Sequence, residues 1–217
     1  MKSTQPQTTR GRPKTLNRDH VLQVAMTSYW DDGPMAVSIN EICRRAGVSK
    51  PGLYREFGSE DGLKTAALES YRELVLSQLF EIFEADQPFD DALTALTDLI
   101  LQERAEIGLP TGCLFQQMRG CRNELGAKTN DAIDTTWYNA QARMRDWTDR
   151  AKHNGQLGVR ISTATVARYV DAQIASGIMM QAEGVEKAVI SEFFQVAFSG
   201  LKYFRRESNS AMMAAFA

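Results

Sequence analysis

At 217 residues, with 43% hydrophobic and 24% charged side chains, the chain has the composition of an ordinary globular protein and ample length for a core. No apolar run reaches membrane-spanning length and the opening M-K-S-T-Q-P-Q-T-T-R has no apolar signal core, so a cytoplasmic protein with no membrane partner is expected. Three cysteines argue against a disulfide framework, and a net charge of −2 does not by itself favour nucleic acid; residues 1–58, however, hold nine Lys and Arg against five Asp and Glu, which concentrates cations at one end.

Residues 1–16 are polar and contain proline, the composition of a flexible basic arm. Within them, Arg10-Gly11-Arg12-Pro13-Lys14 fits an A·T-rich minor groove, where the narrow walls concentrate negative potential and admit guanidinium groups; a solvated leader is the other reading. Asn17 or Asp19 can cap a first helix, with Val21, Leu22, Ala25, Met26 and Tyr29 at helical spacing until Asp31-Asp32-Gly33-Pro34 breaks it. Trp30 reads as packing, and His20 as solvated or phosphate-facing rather than a metal ligand.

Ser38 to Phe57 carries the strongest signal. Ser38 followed by Glu41 predicts a capping box, and Gly47 after Arg44, Arg45 and Ala46 supplies the left-handed residue that ends a helix. Ser49 caps again and Pro51 falls in the first turn of a new helix, where its missing N–H does no harm. Two short helices around a Gly turn make a helix-turn-helix, with Ile39, Ile42, Val48, Leu53 and Phe57 as internal contacts. The second helix would bring Lys50, Leu53, Tyr54 and Arg55 to a major groove.

After Gly58, Ser59 caps a predicted connector helix of about 25 residues with Leu63, Ala66, Ala67, Leu74, Leu79, Ile82 and Phe83 on its apolar side. Helices then follow over Phe89 to Ile107, Cys113 to Cys121, Asn123 to Asn154, Ser162 to about Gln181 and Val185 to Arg206, with breaks at Gly108–Gly112, Asn154-Gly155 and Gly184. No strand period appears, so the fold class is all-α: an arm (1–16), a helix-turn-helix domain (17–58), a helical ligand-binding and dimerisation domain (59–206) and a fraying tail (207–217) on which Met212, Met213 and Phe216 could dock.

The run A-G-V-S-K-P-G-L-Y-R-E-F-G-S-E-D-G-L resembles the DNA-binding signature of TetR-family transcriptional regulators, in detail from about Arg10 to Leu68 and as an all-helical remainder beyond. The resemblance implies a repressor whose C-terminal cavity binds a small molecule that moves the recognition helices out of register with DNA. It also implies a phosphate-contacting Lys near the start of the connector; here Glu60 holds that position and Lys64 lies one turn on. The DNA contacts expected are Ser38, Ser49, Lys50, Leu53, Tyr54 and Lys64, with Arg10 and Arg12 in the minor groove.

Small and aromatic residues alternate on the last two helices: Ala172, Ala175, Ser176 and Gly177, then Phe193, Phe194, Ala197, Phe198, Ser199, Gly200 and Phe204. They predict a four-helix bundle across a two-fold axis, hence a homodimer on a double-stranded operator with inverted symmetry; a monomer core is the alternative. An apolar or aromatic effector is expected among Phe115, Met118, Trp137, Tyr138, Met144, Trp147, Tyr169 and Met180, each of which could equally be core. Cys113 and Cys121, near Arg119 and Arg122, allow thiol-based redox sensing, against buried inert thiols. A third reading is a DNA-binding protein that acts through protein partners without an inducer. Two histidines without H-x-x-x-H spacing, no C-x-x-C and no phosphate loop leave no enzyme, metal site or cofactor expected.

Overall fold

Local signals place the first three helices. The Asn17 side chain accepts from the His20 amide and opens α1 (Arg18–Asp32). Ser38 Oγ accepts from the Glu41 amide at 3.2 Å to start α2 (Ile39–Ala46). Gly47, at φ 65°, ends it, and the Val48 amide reaches back to the Cys43 carbonyl at 3.0 Å. Ser49 Oγ then accepts from the Gly52 amide to begin α3 (Lys50–Phe57). One expectation fails at this point: Glu41 does not reach back to the Ser38 amide, because its carboxylate accepts from Arg44 and Arg45 instead. An ion pair with two guanidiniums outcompetes a single neutral amide.

The computed structural model describes residues 16–102 and 108–214, with side chains described as far as Leu201. The arm with Arg10 and Arg12 lies outside the described residues, as do the side chains of Phe204, Met212 and Met213 and the whole of Phe216. Every element among the described residues is helical. After α3 come α4 (Glu60–Tyr71), α5 (Ser77–Glu84), α6 (Phe89–Leu101), α7 (Leu114–Gly120), α8 (Ala127–His153), α9 (Thr163–Ala182) and α10 (Lys187–Ala214). The last helix continues beyond Arg206, where its end was expected.

The connector departs from its prediction. Residues Arg72–Leu76, between α4 and α5, wind as a π-helix, so one turn holds an extra residue and the inward face shifts. Leu74, assigned to the apolar side, is therefore 60% exposed, while Leu76 and Phe80 are buried.

Buried side chains form two cores. The first joins α1, α2 and α3 to α4, α7 and the start of α8, through Tyr29, Trp30, Ile42, Leu53, Leu63, Tyr71, Leu114 and Ile133. Trp30 meets Tyr71 edge-on, 4.8 Å between ring centroids. The helix-turn-helix thus shares its interior with α4 rather than owning one. The second core lies between α5, α6, α8, α9 and α10, where Phe89 stacks on Trp147 at 4.4 Å and Phe194 packs beside Phe198. Ile178 on α9 packs against both.

Candidate nucleic-acid interface

α3 has two dissimilar sides. Leu53 is 0% exposed and Phe57 is buried beside it, because positions four apart share the face turned to α1 and α4. Lys50, Pro51, Arg55 and Glu56 are exposed and Tyr54 is half-buried. The Lys50 ammonium lies 5.6 Å from the centre of the Tyr54 ring, so the phenol and the cation form one patch. Ser38 and Ser49 are exposed at helix starts; each hydroxyl accepts a backbone amide and keeps its proton for an outside acceptor such as a phosphate oxygen.

Two of the predicted contacts are corrected. Leu53 is core and presents nothing to solvent. Lys64 is 6% exposed: its ammonium pairs with Glu60 at 3.0 Å and sits 5.9 Å from the Tyr29 ring, enclosed where α1 packs on α4. The position one turn into α4 already faces inward, so its charge serves within the chain. Arg55 is exposed on α3, outside the six contacts expected there and on α2 and α4; solvent exposure, invisible to a single sequence, is what distinguishes it from Leu53.

The remaining cations of this region are partly engaged. Arg45 donates to Asp32 at 2.6 Å, to Glu41 at 2.7 Å and to Ser28 at 3.0 Å, which clamps α2 to the end of α1. Hydrogen bonds from Arg44 and Arg45 hold the Glu41 carboxyl down at about 2. Arg18 pairs with Glu56 at 3.4 Å and covers the Phe57 ring. The unengaged positive surface on the described residues therefore narrows toward α3.

The predicted effector residues do not converge. Phe115 and Met118 belong to the first core, Met144 and Trp147 to the second, Trp137 and Met180 pack at the margins, and Tyr138 is 64% exposed. Tyr169 is exposed and its hydroxyl donates to the Ala197 carbonyl. Tyr169 borders an opening of about 190 Å³ with Val166 and Leu201, and two further openings lie beside Cys113. An inner crevice of about 40 Å³ abuts the π-helical turn, between Tyr71, Leu76, Leu79, Ile100, Cys113 and Ile174. An outer one of about 420 Å³ separates α7 from α9, between Gly112, Cys113, Gln117, Ala175, Met179 and Ala182. None of the eight expected residues lines either; both are built from positions that spacing alone reads as ordinary helix packing.

Trp137 has another role: Arg119 and Arg168 lie 5.5 and 5.3 Å from its ring centre, and the Asp171 carboxylate accepts from Gln141 at 3.1 Å beside them. Burial pushes the Asp171 carboxyl above its usual range, against the pull of the two guanidiniums. Burial likewise raises the Cys121 thiol, the opposite of what a reactive thiolate needs.

Comparison with known proteins agrees with this geometry. Residues 21–67, covering most of α1 through the first half of α4, match the profile of bacterial regulatory proteins of the tetR family. The HTH-type transcriptional repressor ComR of Escherichia coli K12 is 24% identical over 197 residues, 89% of this chain and 91% of that repressor. The regulatory protein TetR from Rhodobacter sphaeroides superimposes with a TM-score of 0.73 at 17% identity, over 84% of this chain and 97% of that one. The regulator CifR, solved with a 26-base-pair double-strand operator, superimposes with a TM-score of 0.70 at 19% identity, over 88% of this chain and 100% of that one. With its capped helix-turn-helix set on an all-helical body, the chain is similar to TetR-type regulators, and its residues 21–67 carry the profile of the tetR family of bacterial regulatory proteins.

Proposed function

We propose that the protein is a homodimeric repressor that inserts α3 into the major groove of an operator with inverted symmetry. The observation that carries this is the division of α3, with Leu53 and Phe57 locked inward and Lys50, Tyr54 and Arg55 outward behind the Ser49 cap. Residues 17–58 form the DNA-binding unit, and Ser38 and Ser49 hydroxyls join Lys50 and Tyr54 at the duplex. Arg10 and Arg12 reach the adjoining minor groove, and residues 59–206 carry dimerisation and effector binding. Repression is favoured because the relative ComR is a repressor. Among the described residues no helix is long and apolar enough to cross a membrane, and the protein acts in the cytoplasm.

The dimer is supported by the outer sides of α9 and α10, where Met179, Val189 and Val196 are exposed apolar side chains beside the small residues Ala172, Ser199 and Gly200. Two copies so joined would set their recognition helices about 34–36 Å apart, one turn of duplex. The effector is an apolar molecule that enters between α7 and α9, since the outer opening has the size of small-molecule sites, about 300–1,000 Å³.

The test is selection of duplexes from a random-sequence pool by the full chain, followed by sizing of the complex. Enrichment of a palindrome bound by two copies is expected; a monomeric protein, or no enrichment, defeats the proposal.

A further inference from the structure

α8 begins without a cap of its own. Gly126 precedes it and offers no side chain, so the first-turn amides need an acceptor from elsewhere. Asp61, in the first turn of α4, supplies it: Oδ2 accepts from the Lys128 amide at 3.0 Å and Oδ1 from the Thr129 amide at 3.1 Å. The buried Thr129 hydroxyl has one proton to give, and its shortest contact, 2.6 Å, is to the same Oδ1. The Thr65 hydroxyl meanwhile donates to the Asp61 carbonyl at 2.8 Å. A carboxylate here also meets the positive end of the α8 dipole. Room for it exists because residue 126 is glycine: a Cβ there would stand 2.2 to 2.5 Å from the carboxylate atoms.

The same turn of α4 is pressed against the end of the recognition helix. A Cβ on Gly62 would lie 2.0 Å from the Phe57 carbonyl oxygen, so the backbones of α3 and α4 touch there. The end of α3, the start of α4 and the start of α8 therefore meet within a few residues of Asp61. A second tie runs parallel to it, from the Gln117 side chain on α7 to the Trp30 carbonyl on α1 at 2.9 Å.

We infer that Asp61 is a positioning residue for operator binding: by capping α8 across the chain it fixes how α3 is held relative to the C-terminal helices. This rests on the DNA-binding reading above. A shift of α8 along its axis cannot leave α3 unmoved while these hydrogen bonds hold, and breaking them frees α3 from the body that sets its spacing.

The experiment uses the full chain with the duplex it selects from a random pool and a scrambled duplex of equal composition. Asp61→Ala and Thr129→Val are measured at a temperature where melting curves show each variant folded. Asp61→Ala weakens the selected duplex about tenfold, as expected for coupling free energies of this kind, and narrows the ratio between selected and scrambled DNA. Thr129→Val moves both in the same direction by a smaller factor, and amide exchange at residues 128 and 129 quickens in Asp61→Ala. A purely structural role would lower the melting temperature and leave the affinity and ratio of the folded protein unchanged, which overturns the inference. Should Asp61→Ala not fold, Thr129→Val decides alone. Failure of the unmodified protein to enrich any duplex overturns the DNA-binding reading and this inference with it; enrichment with unaltered variants overturns this inference only.

Discussion

Arg45 on α2 donates to the Asp32 carboxylate in the last turn of α1 across 2.6 Å, and this one side chain ties the supporting helix to the helix-turn-helix. It also holds Glu41, whose carboxyl titrates at about 2. A carboxyl lowered in the folded state adds stability above its unfolded value, and that contribution disappears as pH falls through the folded value. The unmodified protein is accordingly expected to melt above Glu41→Gln at neutral pH, with the gap closing between about 4.5 and about 2. Arg45→Ala should lower the Tm only slightly, since solvent screens an exposed ion pair. A gap that is flat with pH refutes the ion-pair account.

Gly177 faces the Phe194 ring, and a Cβ there would stand 2.3 Å from Cζ. The sequence places Gly177 among small residues awaiting a second copy, but the contact lies within the chain, between α9 and α10. Gly177→Ala should overpack this seam and cost about 1–3 kcal/mol, read by denaturant unfolding. Ala172→Val, on the exposed side, should leave the stability of a dissociated protomer within about 0.5 kcal/mol and act instead on self-association. Equal losses at both positions would contradict this division.

Asp171 is the reverse case of Glu41. Burial raises its carboxyl, so the folded protein binds that proton more tightly than the unfolded chain, and the associated stability is lost as pH rises through the folded value. Asp171→Asn keeps an acceptor for Gln141 and removes the charge. The variant should melt above the unmodified protein at neutral pH, with its advantage shrinking on acidification; a lower Tm at neutral pH would mean that attraction to Arg119 and Arg168 outweighs burial.

Lys50 and Arg55 share the outward side of α3, whereas Lys64 is enclosed with Glu60. Lys50→Ala and Arg55→Ala should each lower the slope of log K against log salt by about 0.9 if each neutralises one phosphate. Lys64→Ala should leave that slope unchanged and reduce stability instead. The pair of measurements, salt titration and melting, separates a groove contact from a core cation.

How far sequence sufficed varies with the physics involved. Caps and the left-handed Gly47 are local, so α2 and α3 begin at Ser38 and Ser49 and α2 ends at Gly47 as expected, while Asn17 is the one of the two candidates, Asn17 and Asp19, that caps α1. Burial is not local: Leu53 and Lys64 looked fit for DNA because residue type, not the packing of α1 on α4, was all that could be read. The expected effector residues lie scattered for the same reason, since large apolar side chains fill cores as readily as they line cavities. The cap on α8 comes from a residue 67 positions away, a pairing with no periodic trace.

The π-helical turn offers the sharpest test of the connector. A regular helix would bury Leu74 with Ala67 and Tyr71 by the three-and-four rule, but the extra residue in Arg72–Leu76 turns it outward and brings Leu76 in. Leu76 lines the inner crevice beside Tyr71, so truncating it enlarges a space that is already imperfectly filled. Leu76→Ala should therefore lose about 2–4 kcal/mol, while Leu74→Ala stays within about 0.5 kcal/mol. Urea unfolding of the two variants reads the register directly: the opposite ranking would mean that the connector is an unbroken α-helix in solution, and that the crevice beside it is formed differently.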